Sequence, residues 1–145
     1  MKKTLKIIGI LALIGVIAAF LVYRFVYNKP HPDYEKEVAV YTLSAKEFYN
    51  EFKNQTDTAN KKYTGKMIQV NGVLDKVEET DSLTIGVFVL SSGMFGDEGI
   101  RCTMLPNYGK KAKNLSPPVD VKIKGLCTGY NDTDVIMEHC SFKQN

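Results

Sequence analysis

From Ile7 to Tyr23 the chain runs 17 residues without a charge, with Lys2, Lys3 and Lys6 on one side and Arg24 on the other. A helix rises about 1.5 Å per residue, so the run reaches roughly 26 Å, near the lower length for crossing a hydrocarbon core of about 30 Å. Lys6 and Arg24 can snorkel outward, and Tyr23 and Tyr27 suit the interface, which closes the remaining gap. A cleaved export signal has a similar profile but needs small residues at its cleavage site. Here Ala18 and Ala19 are followed by Phe20, Leu21 and Val22, and no cysteine stands directly after the run to accept a lipid. The expectation is an uncleaved, single-pass transmembrane anchor over residues 1–27.

The anchor also accounts for the charge. The formal net charge is +3 and the pI about 8.7, but four of the 19 Lys and Arg flank the apolar run, leaving 15 against all 16 Asp and Glu, a net of −1. The basic pI therefore describes a membrane flank and gives no case for a nucleic-acid-binding surface. Three lysines and the α-amino group precede the run, so the positive-inside rule puts the amino terminus in the cytoplasm and everything after about Asn28 on the extracytoplasmic side of the cell membrane. Residues 28–41 begin with Pro30, Pro32 and five charged residues between Asn28 and Glu37; they read as a stalk or linker. Residues 42–145 remain for one small domain.

That domain opens on Leu43-Ser44-Ala45-Lys46-Glu47-Phe48, in which Ser44 and Glu47 have the spacing of a capping box and Leu43 and Phe48 that of a hydrophobic staple. Ala45, Phe48, Tyr49, Phe52, Thr56 and Ala59 follow at helical spacing, predicting one helix from Ala45 to Asn60. The period then changes to two. Strands are predicted at Met67–Leu74, with Gly72 as a bulge, and at Leu83–Leu90, Ile100–Leu105, Val119–Cys127 and Asp134–Phe142. Glu78–Ser82 is a charged turn, Ser91–Gly99 a flexible loop tipped by Met94 and Phe95, Pro106–Leu115 a basic loop or short helix, and Gly129–Asp132 a tight turn. The fold class is mainly β: a five-stranded OB-fold barrel preceded by one α-helix, with the transmembrane helix in front. An open meander sheet under the helix is the competing arrangement.

The segment Lys62-Tyr63-Thr64-Gly65-Lys66 with Ile68, Val70 and Gly72, then Ile100-Arg101-Cys102, then Val121 to Gly129 and Asp134-Val135 through Cys140, resembles the tRNA_anti-like family of OB-fold proteins. The likeness runs from about Thr42 to Phe142, and its most specific part is the Lys-Gly-x-Cys-x-Gly run before a strand closing on a cysteine. The resemblance implies an OB fold, and relatives that are membrane-anchored or lipoproteins agree with the anchor. Ser116-Pro117-Pro118 departs from the glycine turn expected before the fourth strand. The family name records likeness to anticodon-binding domains and does not imply RNA binding.

Binding of single strands needs a cationic groove with aromatic platforms. Lys61, Lys62, Tyr63 and Lys66 form one candidate surface, and Tyr108, Lys110, Lys111 and Lys113 another. The acidic balance of the domain and its expected location disfavour nucleic acid and favour an unknown protein, peptide or glycan ligand. Cys102, Cys127 and Cys140 lack a C-x-x-C pair, and only His31 and His139 accompany them, so neither a metal site nor a nucleophile is expected. Outside the cytoplasm they suggest one disulfide and one buried thiol. A plain hairpin turning at Asn131-Asp132 sets Cys127 opposite Ile136, roughly 13 Å from Cys140 and beyond the Cα limit of about 7 Å. An OB barrel sets the third and fifth strands side by side, which favours Cys140 with Cys102, while the Lys-Gly-x-Cys ending keeps Cys140 with Cys127 open. The acidic pairs lie at loop tips, not at a spacing for acid and base chemistry, and a calcium site at Asn131–Asp134 lacks ligands. The reading is therefore a membrane-anchored, non-enzymatic OB-fold binding module without cofactors, with a single-stranded nucleic-acid-binding OB domain as the alternative.

Overall fold

The computed structural model describes residues 2–27, 33–94 and 96–144, with side-chain surroundings for 12–25, 33–94 and 96–143. The chain divides into two units, Met1–Pro32 and Asp33–Asn145. In the first, α1 spans Lys2–Val22 and ends in a π-helical turn, Tyr23–Tyr27. Leu13, Val16, Phe20 and Phe25 are among its exposed apolar side chains. Among the residues whose side chains are described, no helix is long and apolar enough to cross a membrane. The start of the expected anchor, residues 28–32 of the expected stalk, and Phe95 lie outside that description.

The second unit begins with one hydrogen-bonded turn at Asp33–Glu37 and then β1 (Tyr41–Ser44). The capping box forms as expected: Ser44 Oγ accepts from the Glu47 amide and the Glu47 carboxylate accepts from the Ser44 amide, starting α2 (Ala45–Asn54). The single helix expected through Asn60 is two: the backbone leaves helical geometry at Gln55, and α3 runs Thr56–Tyr63. Little hydrogen bonding is lost there, because Gln55 N donates to Glu51 O and Ala59 N to Gln55 O. The turn carries Ala59 and Tyr63 into the core alongside Phe48 and Phe52.

Six strands and a short helix follow: β2 (Met67–Leu74), β3 (Lys76–Glu79), β4 (Thr84–Gly93), β5 (Gly96–Met104), α4 (Pro106–Ala112), β6 (Val119–Tyr130) and β7 (Asp134–Gln144). They form one sheet in the order β1-β2-β6-β7-β5-β4-β3. The closed five-stranded barrel expected from the pattern is corrected: the sheet has seven strands and its ladder is not closed. Two local causes account for this. Asp75 interrupts the first long strand, its amide donating to Val87 O and its carboxylate accepting from Val89 N, so β2 pairs with β6 while β3 pairs with β4. The residues ahead of the capping box add β1 as a parallel edge on β2.

Gly72 is not a bulge; it pairs in register with Val121, and a Cβ there would press on Ala45 at the start of α2. The irregularities sit elsewhere, between Val89 and Ser91, between Cys102 and Met104 against β7, and twice within the β6–β7 pairing, at Lys124/Leu126 and Cys127/Gly129, where Cys127 stands opposite Met137 and not Ile136. Inward residues Ile68, Val70, Leu74, Phe88, Ile100, Val121, Ile123 and Met137 meet the α2–α3 aromatics in one core.

Candidate functional site

The two expected basic surfaces separate in the fold. Lys61 is exposed beside a shallow hollow bounded by Asn60, Thr64 and Gly129–Asn131. Lys62 turns the other way, bridging to Glu51 at 2.9 Å with its ammonium 4.6 Å from the Tyr63 ring centroid. Tyr63 and then Glu51 raise the Lys62 pKa, so it stays charged. Tyr63 cannot serve as a stacking platform: it is fully buried, packed on Phe48, Phe52 and Tyr41, with only its hydroxyl reaching Glu51. Lys66 lies 5.4 Å from the Tyr41 ring centroid.

On α4, where Pro106 occupies the first turn, the other four residues also diverge. Lys110 and Lys113 line a cleft on one side. Tyr108 packs edge-on against Phe142 and donates to Glu35 at 2.9 Å, while Lys111 lies 4.7 Å from the Tyr108 ring centroid. Lys61, Lys62 and the pair Lys110 and Lys113 line three separate clefts.

The α4 cleft has a volume of about 560 Å³ and lies between the β3–β4 turn, α4 and the seam of β5 with β7. Leu83, Met104, Leu105 and Pro106 supply its apolar surface; Thr80, Ser82, Thr84 and Thr103 line it with hydroxyls. Lys110, Lys113, Asp81 and Glu138 add both signs of charge, and Lys113 also bridges to Glu79 at 2.7 Å. His139 closes one wall, its ring stacked on Tyr34 at 4.1 Å. Strand alternation makes Thr103 legible as outward, but the turn of His139 into the wall follows from its positive φ of 53°, which no local pattern announces.

The neighbouring face of β4 and β5 is the surface on which OB domains take oligonucleotides and oligosaccharides. Its cations are already paired. Arg101 bridges Glu78 and Asp134, and Lys76 bridges Asp97; on the α2 side of β5, Lys53 bridges Glu98. Asp134, only 7% exposed, also accepts from Gly99 N. In the turn before it, Asn131 Oδ1 accepts from Thr133 and Asp134 amides, so these side chains close the turn.

Cys102, Cys127 and Cys140 are buried and free, so the expected bridge from Cys140 to Cys102 or Cys127 is not formed in this structure. Cys102 donates to Met137 Sδ at 4.0 Å, and Cys140 lies beside Cys102 in the core. Burial pushes the Cys127 thiol up to about 11 and Cys140 up as well. Gly125 makes room for this arrangement, since a Cβ there would collide with Cys140 Sγ. Among the described residues no group of three His, Cys, Asp or Glu side chains could hold a metal ion.

The family model described as tRNA_anti-like matches residues 1–141. No curated protein matches. Among solved structures, the chain is similar to one in the S. pombe Stn1-ten1 complex, with 19% identity, 55% of this chain and 57% of that one covered, and a TM-score of 0.41. It is also similar to asparaginyl-tRNA synthetase from Pyrococcus horikoshii complexed with asparaginyl-adenylate, with 15% identity, 57% of this chain covered and a TM-score of 0.41. The same synthetase in a second structure gives 16% identity, 57% of this chain covered and a TM-score of 0.38. The chain spans 20% and 21% of those synthetase chains, and less than two thirds of any of the three.

Proposed function

The chain belongs to the tRNA_anti-like family, and from that premise we propose that it is a membrane-anchored, non-enzymatic binding module whose OB-type domain presents the α4 cleft on the extracytoplasmic side. The observation that carries the reading is the cleft itself. It lies at the end of the β4–β5 face, under the turn that OB domains use for ligands, and joins an apolar floor to hydroxyls and two lysines. Such a lining suits a short peptide or glycan segment. Its titratable groups are not arranged as a nucleophile and base, which supports binding without catalysis.

Anchoring is supported by the uncharged run from Ile7 to Tyr23, all but its last residue within the 21-residue helix Lys2–Val22, and by the charge difference across it. Export also bears on the thiols: in an oxidising compartment Cys140 is expected to pair with its neighbour Cys102. Two measurements test the reading on the full chain. Protease added to intact cells is expected to cleave the domain, and protection inside them would overturn the topology. Arrays of defined glycans and peptides are expected to yield a ligand whose binding is weakened by Leu83→Asp and by Lys110→Glu in a folded protein. Binding indifferent to both substitutions would remove the cleft from the proposal.

A further inference from the structure

A second surface, on the outward face of β2, β6 and β7, carries charge of a different kind. Alternation along β6 sends Val121 and Ile123 into the core and leaves Lys122 and Lys124 outside. Register sets Lys124 between Gln69 and Ser141, and Lys122 between Asn71 and Lys143. A groove of about 290 Å³ follows these rows, lined by Gln69, Tyr108, Lys122, Lys124, Ser141 and Lys143. Among the described residues no carboxylate bridges any of the three lysines, in contrast to the cations of the β4–β5 face.

An anionic group already stands at the groove. Glu35 Oε1 accepts from the Tyr108 hydroxyl at 2.9 Å and Oε2 from Asn107 Nδ2 at 3.3 Å. Lys124 Nζ holds the same segment by its backbone, donating to Glu35 O at 2.8 Å and Glu37 O at 2.6 Å. Glu35 is thus the carboxylate that lines the groove; Glu37 meets Lys124 through its backbone carbonyl, and Asp33 is taken by Lys36. Glu35 is satisfied by two neutral donors, which leaves three ammonium groups without a partner oxygen of opposite charge.

We propose that this groove is a phosphate-ester site, in which Lys122, Lys124 and Lys143 supply the positive charge and the Tyr108 hydroxyl a neutral donor, and that Glu35 is its built-in competitor. A phosphate monoester brings up to two charges and three acceptor oxygens, matching three point-charge donors better than one carboxylate does. The hydrogen bond to Glu35 raises the Tyr108 pKa, so the phenol remains a donor at neutral pH. The same chemistry has two sources, a soluble phosphate ester or the headgroup of a phospholipid. The second rests on the anchoring reading and the first does not.

Lysine acylation read by mass spectrometry tests the proposal on the full chain. In nonionic detergent, inorganic phosphate is expected to slow labelling of Lys122, Lys124 and Lys143 several-fold while leaving exposed Lys46 unchanged. Lys143→Glu is expected to abolish protection of the other two, and Glu35→Gln to strengthen it about fivefold by removing the competing carboxylate. Nanodiscs of phosphatidylcholine with and without phosphatidic acid, whose headgroup is a phosphate monoester, form the second arm. Protection in anionic discs alone assigns the headgroup, and protection by inorganic phosphate assigns the soluble ester. Absence of protection in both arms, or protection unaffected by Lys143→Glu, overturns the site. Lys110, in the α4 cleft, reports separately, so failure of this site leaves the cleft proposal standing.

Discussion

Tyr63 buries its ring against Phe48, Phe52 and Tyr41 and sends only its hydroxyl to the Glu51 carboxylate. Truncation therefore removes aromatic packing as well as a hydrogen bond. Tyr63→Ala is expected to cost about 3–5 kcal/mol in thermal or denaturant unfolding, and Tyr63→Phe about 1 kcal/mol. Tyr49 gives a pH-dependent counterpart. Desolvation, with Glu98 as hydrogen-bond acceptor next, raises its phenol from 10.0 to about 12. A raised folded pKa means that the unfolded chain loses the proton first. The contribution of Tyr49 is then fully present below pH 10 and disappears as pH rises towards 12. Ultraviolet titration is expected to show one phenol ionising near 12, and Tyr49→Phe to flatten the fall in stability over that window. Two tyrosines at neighbouring places in the sequence pattern thus have structural roles. Composition marks Tyr63 as a ring beside lysines, and only the α3 turn reveals that it faces inward.

At the scale of elements, short-range signals proved readable and long-range ones did not. The Ser44–Glu47 box is a local arrangement, and it forms with both reciprocal hydrogen bonds. Ser44→Ala is expected to cost about 1 kcal/mol, lowering Tm by a few degrees, as calorimetry would record. The five long strands were legible from alternation to within a few residues at most of their ends. The end of β2 at Leu74 was legible too, but β3 was not, since Glu78 and Glu79 read as a charged turn; its pairing with β4 past Asp75, and the bulges that displace the β6–β7 register by a residue, have their causes across the sheet. Glycine roles were similarly hidden. Gly99 runs so close to β4 that a Cβ would collide with Phe88 O, and Gly125 leaves room for Cys140. Gly99→Ala is expected to cost at least about 3 kcal/mol in denaturant unfolding, since the contact is with backbone that cannot rotate away. The α4 cleft was half visible: Lys110 and Lys113 were singled out, but Leu83, Thr103 and His139 come from three other segments that only the tertiary fold assembles.

Across the whole domain, a net charge close to zero conceals an uneven distribution. On the β4–β5 face every bridge joins a cation to a carboxylate of another strand or helix, so that Arg101 fastens β5 to both β3 and the start of β7. On the β2–β6–β7 face the lysines lack such partners. A single-stranded nucleic acid gains affinity by releasing counterions as its phosphates meet free cations. Along the β4–β5 face it would first have to break Arg101 and Lys76 from their carboxylates, and it would find Tyr63 unavailable for stacking. The log affinity for single-stranded DNA or RNA is therefore expected to fall with log salt at a slope of about 2 or less, measured by fluorescence anisotropy on the full chain in detergent. Lys110→Ala, Lys111→Ala and Lys113→Ala together are expected to leave that slope unchanged, because Lys113 is bridged to Glu79 and Lys111 is turned to Tyr108. A slope of about 4 or more that collapses in the triple variant would mean that α4 presents a free cationic surface. It would replace the peptide or glycan reading with nucleic-acid binding.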